Sequence, residues 1–564
     1  MTHRKHTLGV IGLVALAIST LPLLVTAGAS AATSQTSNSI CFFGFGCGPS
    51  TPPLPSLSLI APATGHGYPY DFVPQAPLIP GAPSFNLQQL GYAQNEYLMN
   101  GTANVYQQNG PWGSNGDWGV SVAQANVPYT TRMLVRYPTD PSKFNGTVIV
   151  EWSNVITGGD QDPVWSEIDS EVLHNGFAYA LVTAQSPGMN DLKAWDSARY
   201  GTLGDSNDGQ SYDIFTEAAE ALRANTGEVL GTLHVNKVIG TGDSQSAFRT
   251  DTYVNAFQPL FHAFDAFMAV GRAGLAAPVT TGTFGTTFPA YVRTDNTAPF
   301  IQINTQGDIL ELDAATSRQP DNTYLRTWEI AGATHIDVHE ATYELATIAV
   351  EEPTLAVPAC TLGTPISGTG TILDGVNQVN NMPVFEVEDA AIQDLQRWLV
   401  SGTPAPSESS TLSANPLLFG FFYLPSTNQY GISSGGIQLP EAQLPTEDYG
   451  QLNLGSINVS STNPQAILTE LESIFSTLEN STFPASNPSL RTQGLCMLSG
   501  YFYDLSQAQL KSLYPTTADY AWRYAAAADT LVNEGFMTQA DATAAIVTAF
   551  AGQGPTQQPP EPIP

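Results

Sequence analysis

The chain has 564 residues, with 18 Lys and Arg against 50 Asp and Glu, a net charge of −32 at pH 7 and four cysteines. Such an acidic chain repels phosphate backbones, which excludes nucleic acid as a partner and disfavours an anionic membrane surface. The length admits two to four domains, although α/β folds often exceed ~250 residues as one unit.

Residues 1–31 read as a secretory signal peptide. Arg4 and Lys5 precede the apolar stretch from Leu8 to Val25, and Ala29-Ser30-Ala31 supplies small residues for cleavage near Ala31. The stretch approaches the ~20 residues of a membrane span, but Pro22, Gly28 and the small-residue exit favour cleavage over an anchor. With no other long apolar run, the expectation is a secreted or extracytoplasmic protein without stable membrane insertion after cleavage. Residues 32–85 are rich in Pro, Ser and Gly and read as a linker or loosely docked arm. Four cysteines in an exported chain suggest two disulfides, Cys41 with Cys47 locally and Cys360 with Cys496, among three possible connectivities. Their spacing lacks the clustering of zinc sites, and no metal or other cofactor is expected.

Residues 86–405 read as the core. Thr130–Tyr137, Thr147–Trp152 and Ala178–Thr183 look like strands, with a helix-sized interval before the last, and Val238–Gly240, Pro299–Asn304 and Leu325–Ile330 follow. Strands alternating with helical stretches predict an α/β fold, a mostly parallel central sheet flanked by helices. Glu386–Val400 has helical periodicity and stops at Ser401-Gly402, which suits a closing helix. Residues 406–550 form a C-terminal region expected to pack on the core. It starts as loops with a few strands and turns helical from Ser506 to Phe550, with Ser506 as cap and Pro515 as a break; residues 551–564 read as a disordered tail.

Gly242-Asp243-Ser244-Gln245-Ser246 sits where an apolar run gives way to a helix, the pattern of a nucleophile elbow. A plain helix cap would also place a serine there. Downstream, one strand ends in Thr305-Gln306-Gly307-Asp308 and another in Ala331-Gly332-Ala333-Thr334-His335. Serine, acid and histidine in that order, each past a strand end, is the α/β-hydrolase order and differs from the trypsin-like and subtilisin-like orders. An unactivated hydroxyl is a poor nucleophile and needs a base that is itself oriented, so His335 is the candidate base and Asp308 the candidate orienting acid. Glu311 and Asp313 are the rival acids, and Asp308 is preferred because its place directly after Gly307 at the strand end suits a loop, whereas Leu310–Asp313 reads as already helical. His339 is the rival for His335, but it falls where a helix surface is expected. The two histidines are four apart, yet neither Asp337 nor Glu340 completes a metal motif with them.

Acyl transfer also requires donors for an oxyanion. The backbone N–H of Gln245 is one candidate, and Ser153 or Asn154, in the loop after Thr147–Trp152, is the other. Trp152 either lines the acyl pocket or packs in the core. Ala184–Met189 through Tyr200 are candidates for the pocket, and Gly271–Thr287, rich in Gly, Ala and Thr, for a mobile flap.

Several segments carry a resemblance beyond this order. Tyr129–Pro138, Phe144–Asn154, Leu192–Asp196 with Arg199–Leu203, Tyr212–Phe215, Arg318–Asp321, Trp328–Gly332, Gly435–Pro440 and Leu513–Pro515 are similar to the bacterial alpha/beta hydrolase domain-containing proteins. The resemblance covers most of the chain after residue 85. It implies the alpha/beta-hydrolase fold, with Ser244, an acid near Asp308 and His335 in the triad roles, and it implies no substrate. Two departures stand out: Gln306 in place of a glutamate before Gly-Asp, which removes a rival carboxylate, and Ser246 in place of the last glycine of the elbow.

The expected function is an exported serine hydrolase, a carboxylic-ester hydrolase acting on a small-molecule or polymeric ester through an acyl-enzyme. Amidase and acyltransferase chemistry use the same triad. A non-catalytic exported binding protein on a hydrolase scaffold is the competing class.

Overall fold

The computed structural model describes residues 52–60, 87–156, 159–272, 274–280, 286, 288–343, 379–417, 422–451 and 498–551. The leader, all four cysteines and the tail after residue 551 lie outside the described residues, as does part of the Gly271–Thr287 segment.

Nine strands form one sheet in the order β1-β2-β3-β5-β4-β6-β7-β8-β9. In chain order these are β1 (Ser56–Leu59), β2 (Tyr92–Asn109), β3 (Gly119–Pro138), β4 (Thr147–Trp152), β5 (Ala178–Val182), β6 (Lys237–Asp243), β7 (Ala266–Val270), β8 (Phe300–Thr305) and β9 (Leu325–Ile330). The six strands from β4 to β9 run parallel, and β1, β2 and β3 join antiparallel beside β5. The connecting helices are α1 (Pro163–Asn175), α2 (Ser186–Trp195), α3 (Ser197–Tyr200), α4 (Ser211–Arg223), α5 (Gln245–Thr252), α6 (Gln258–Phe261) and α7 (Gln306–Glu311). Then come α8 (Phe385–Ser401), α9 (Pro440–Gln443), α10 (Gln507–Leu513), α11 (Thr517–Glu534) and α12 (Gln539–Phe550).

A parallel sheet covered on both faces needs apolar residues on both sides of each strand. Period-two alternation sends Val148 and Val150 to one face and Ile149 to the other. The first face packs against Phe215, Ala218 and Leu222 of α4 and a cluster of rings that includes Tyr253, Phe257 and Phe264. The second packs against Trp165, Ile168 and Val172 of α1 and Val387, Ala391 and Leu395 of α8. Ser506 caps α10 through a reciprocal bond with Gln509, and α11 starts after Pro515, as the sequence suggests.

The antiparallel edge departs from the sequence reading. Ser56–Leu59 falls in the stretch read as a linker, yet it pairs with Tyr97–Asn100. β2 is largely polar, and its inward groups are satisfied by distant partners. Buried Glu96 takes Arg132, Arg199 and the Tyr200 hydroxyl, while Asp213 of α4 accepts from the Asn104 N–H (2.7 Å) and from the Tyr106 hydroxyl (2.7 Å).

Many carboxyl groups are buried deeply enough to be shifted upward, Asp394 even with Arg397 2.6 Å away. Burial pushes Glu217 and Glu408 up to about 9, and Asp394 and Glu447 up to about 7. These groups hold protons in the folded chain that the unfolded chain releases. Their contribution to stability is fully present below the unfolded carboxylate range of about 4 and is lost as pH rises through 7 to 9. Glu96, held low by Arg132 and Arg199 against its burial, acts only on the acid side of that window. The melting temperature is therefore expected to be higher at about pH 5 than at about pH 9. A thermal melt series showing the reverse trend would contradict this.

Candidate active site

β6, β8 and β9 are parallel, so the segments that follow them emerge at one edge of the sheet, the usual place for a site in such folds. Ser244 sits at the corner between β6 and α5 with φ 51° and ψ −117°, a left-handed backbone for a residue carrying a β-carbon. The corner is held by Ser246, whose hydroxyl donates to the Asp243 carbonyl (2.8 Å) and accepts from the Asp243 N–H (2.9 Å). Ser246, in place of the usual glycine, thus locks the elbow with its side chain. Gly242 leaves room for it: a β-carbon there would lie 2.7 Å from the Ser246 carbonyl oxygen.

Asp308 stands in the first turn of α7, not in a loop. Thr305 caps that helix through a reciprocal box: its hydroxyl accepts from the Asp308 N–H (3.1 Å), and Asp308 Oδ2 accepts from the Thr305 N–H (2.6 Å) and hydroxyl (2.9 Å). Two donors thereby fix one oxygen and aim the other at the imidazole. His335 Nδ1 lies 2.6 Å from Asp308 Oδ1, and His335 Nε2 lies 2.9 Å from Ser244 Oγ. An ionised carboxylate can only accept, so Nδ1 carries the proton and Nε2 accepts from the serine. Burial draws the His335 pKa down, but the charges of Asp308 and Asp243 outweigh it and raise it above the ordinary histidine value.

The rivals lie elsewhere. Glu311 is buried with no donor among the described residues at either carboxyl oxygen, and its carboxyl is pushed far up by burial and by Asp308. Asp313 is a turn residue with φ 55°. His339 is half-buried, its ring stacked on Phe385 with centroids 4.9 Å apart. Gln306, at the position where a glutamate was expected, is buried; its amide oxygen accepts from Gly332 N–H (2.9 Å) and Ser433 N–H (2.8 Å), and its amide nitrogen donates to Gly431 O (2.8 Å). It thereby anchors the strand exit that carries His335.

The N–H of Gln245 is the first of α5, without an intrahelical acceptor, and it has no backbone acceptor among the described residues. The Ser153 N–H donates to Val182 O (3.1 Å) and the Asn154 N–H to Gln161 O (2.9 Å), so both backbone donors are occupied. The Asn154 side chain donates to Asp243 O (3.1 Å). One residue further, the Val155 N–H makes only a long bond, 3.4 Å, to Gln245 Oε1. Trp152 is core: fully buried against Tyr212 and Phe215, with its indole N–H donating to Gln185 Oε1 (3.0 Å). In the predicted pocket segment, Gln185 also accepts from the Gln245 side chain (3.0 Å), which ties the loop after β5 to the elbow.

Gly271 follows β7 with φ 61°, and a β-carbon there would lie 2.5 Å from His335 Cε1 and 3.2 Å from Asp243 Oδ2. The imidazole and the Asp243 carboxylate thus both border the space that Gly271 leaves open. Gly271→Ala is expected to displace the imidazole and cost about 100-fold in kcat/KM, the usual penalty for a misplacement near 1 Å. Wild-type kinetics in this variant, measured on any turned-over ester, would contradict that packing.

The sequence matches the family described as alpha/beta hydrolase domain over residues 57–547. The match reaches back into the arm that the sequence reading left outside the resemblance. No curated protein matches the chain. Among solved structures it is similar to a serine hydrolase without lid from Xanthomonas campestris, at 12% identity, covering 39% of this chain and 86% of that one with a TM-score of 0.26. It is likewise similar to an alpha-beta serine hydrolase homologue from Coxiella burnetii, at 9% identity, covering 40% of this chain and 92% of that one with a TM-score of 0.27.

Proposed function

The chain belongs to the alpha/beta hydrolase domain family, and from that premise we propose that it is a serine hydrolase that cleaves carboxylic esters through an acyl-enzyme, acting after export. The observation that carries this reading is the continuous chain Ser244 Oγ to His335 Nε2 (2.9 Å) and His335 Nδ1 to Asp308 Oδ1 (2.6 Å). The export half rests on the leader read in residues 1–31.

In this reading His335 takes the proton of Ser244 as Oγ forms a bond to the ester carbonyl carbon. Asp308 holds the tautomer and stabilises the imidazolium. The developing oxyanion is met by the Gln245 N–H and by the Val155 N–H, which gives up its long bond to Gln245 Oε1. Two such donors, fixed before the reaction, stabilise charge that appears only in the transition state. The tetrahedral intermediate collapses by breaking the bond to the alcohol oxygen, which takes the proton back from His335. Water, deprotonated by His335, then attacks the acyl group, and the acid leaves with Ser244 restored.

The test is a panel of p-nitrophenyl esters of increasing acyl length set beside the matching anilides. Ester turnover with anilides slower by orders of magnitude supports the reading. Turnover of neither by folded protein would sink it, and preferential anilide cleavage would make the chain an amidase.

A further inference from the structure

The residue before the nucleophile, Asp243, is buried, and its carboxylate turns toward His335 and away from solvent. Behind the imidazole lies a small cavity whose wall contains His335 together with Asp243 from β6, Glu167 from α1, Glu388 from α8, and Asp337 and Glu340 from the segment after β9. No Lys or Arg lines it. Among the described residues, neither carboxyl oxygen of Glu167 meets an N–H or O–H donor; the group it faces is the carboxyl of Asp337. Two carboxyls bond to each other only when one holds a proton, and among the described residues no three acidic or metal-ligating side chains are grouped to hold a cation. Burial therefore favours the protonated form of Glu167, Glu388 and Asp337 around this cavity. Asp337 is the exception in part, since it accepts from the His339 N–H (2.7 Å) and the Val384 N–H (3.1 Å).

We propose that Asp243 is a positioning residue that acts on the reaction through His335, its carboxylate joining that of Asp308 in setting the pH at which the imidazole sheds its proton. The inference rests on the serine-hydrolase reading above. The physical basis is short range and low screening. Asp308 touches Nδ1 and Asp243 borders the ring, while burial favours the neutral form of Glu167 and Glu388 around the cavity. Burial pushes Asp243 up to about 7, and the charge of His335 pulls it back, so the charge on each group depends on the charge on the other. Burial likewise raises Glu388, aided by the charges of Asp243, Asp337 and Glu151. An ionised Asp243 favours the imidazolium and delays the appearance of free base as pH rises.

The experiment follows the rate of fluorophosphonate labelling against pH for the wild type and Asp243→Asn, which needs no natural substrate. Removing the charge is expected to move the acid edge of reactivity down by about one pH unit, the lower end of what a charge ~4–6 Å away imposes. The rate on the alkaline plateau should stay within severalfold. An unchanged edge in a folded variant overturns the proposal and leaves the hydrolase reading intact. A wild-type protein that never reacts overturns both. If the variant fails to fold, proton NMR of the His335 Nδ1–H in the wild type decides. Two inflections with pH, one from each group, support the proposal, and a single inflection overturns it.

Discussion

Ser244→Ala is expected to lower ester hydrolysis by about 10⁴-fold or more, because removing the nucleophile of a triad abolishes the steps that the other two groups exist to assist. The fold should not change. The Ser244 backbone N–H bond to Val270 O (2.9 Å) and the capping of Phe248 by the Ser244 carbonyl involve no side-chain atom. The hydroxyl meets the His335 ring and leaves no large cavity when removed. The positive φ costs alanine what it costs serine. A melting temperature within a degree or two of wild type, with hydrolysis gone, is the expected pair of results, read by thermal melt and by initial rates. Retained hydrolysis would mean that another residue performs the attack.

Asp308→Asn carries the second large effect, and its sign follows from the cap on α7. Oδ2 accepts from both the N–H and the hydroxyl of Thr305, so an asparagine at this position must place its carbonyl oxygen there. Its NH2 group then points at His335 Nδ1, which can only respond as an acceptor. The imidazole proton moves to Nε2, where it faces Ser244 and cannot take the serine proton. The wrong tautomer is expected to cost about 10⁴-fold in kcat, the loss seen when a triad acid is replaced this way. Glu311→Gln and Asp313→Asn should stay within severalfold of wild type, since neither carboxylate touches His335. Equal losses at Asp308 and Glu311, measured as kcat on one ester, would break the assignment of the acid.

How much of this was legible from sequence depends on range. The three residues that bond in series were, because each lies at a local break in pattern: an elbow pentapeptide at Ser244, and Gly-Asp and Ala-Thr-His at two strand exits. The parallel strands β4, β5, β8 and β9 were also legible as apolar runs, as was α8 from its periodicity and the glycine that stops it. β2 was not, since Tyr92–Asn109 is mostly polar and is made a strand by Arg132 and Asp213 far along the chain. β1 was hidden in a Pro-rich stretch. The occupancy of the Ser153 N–H depends on Val182 of a neighbouring strand, and that of the Asn154 N–H on a bridge to Gln161, neither of which a local pattern announces. Asp243 and His335 both border the gap that Gly271, just after β7, leaves. The one sequence signal for Asp243 was its place beside the nucleophile. The placing of Asp308 at a loop position missed that Thr305 is a helix cap, although Thr-x-x-Asp was there to be read.

The most direct test of the central claim is the mass of the purified protein after exposure to a fluorophosphonate, followed by peptide mapping. The account predicts one adduct per chain, carried by the peptide containing Ser244. No adduct on a folded protein, or an adduct on a different serine, would contradict it.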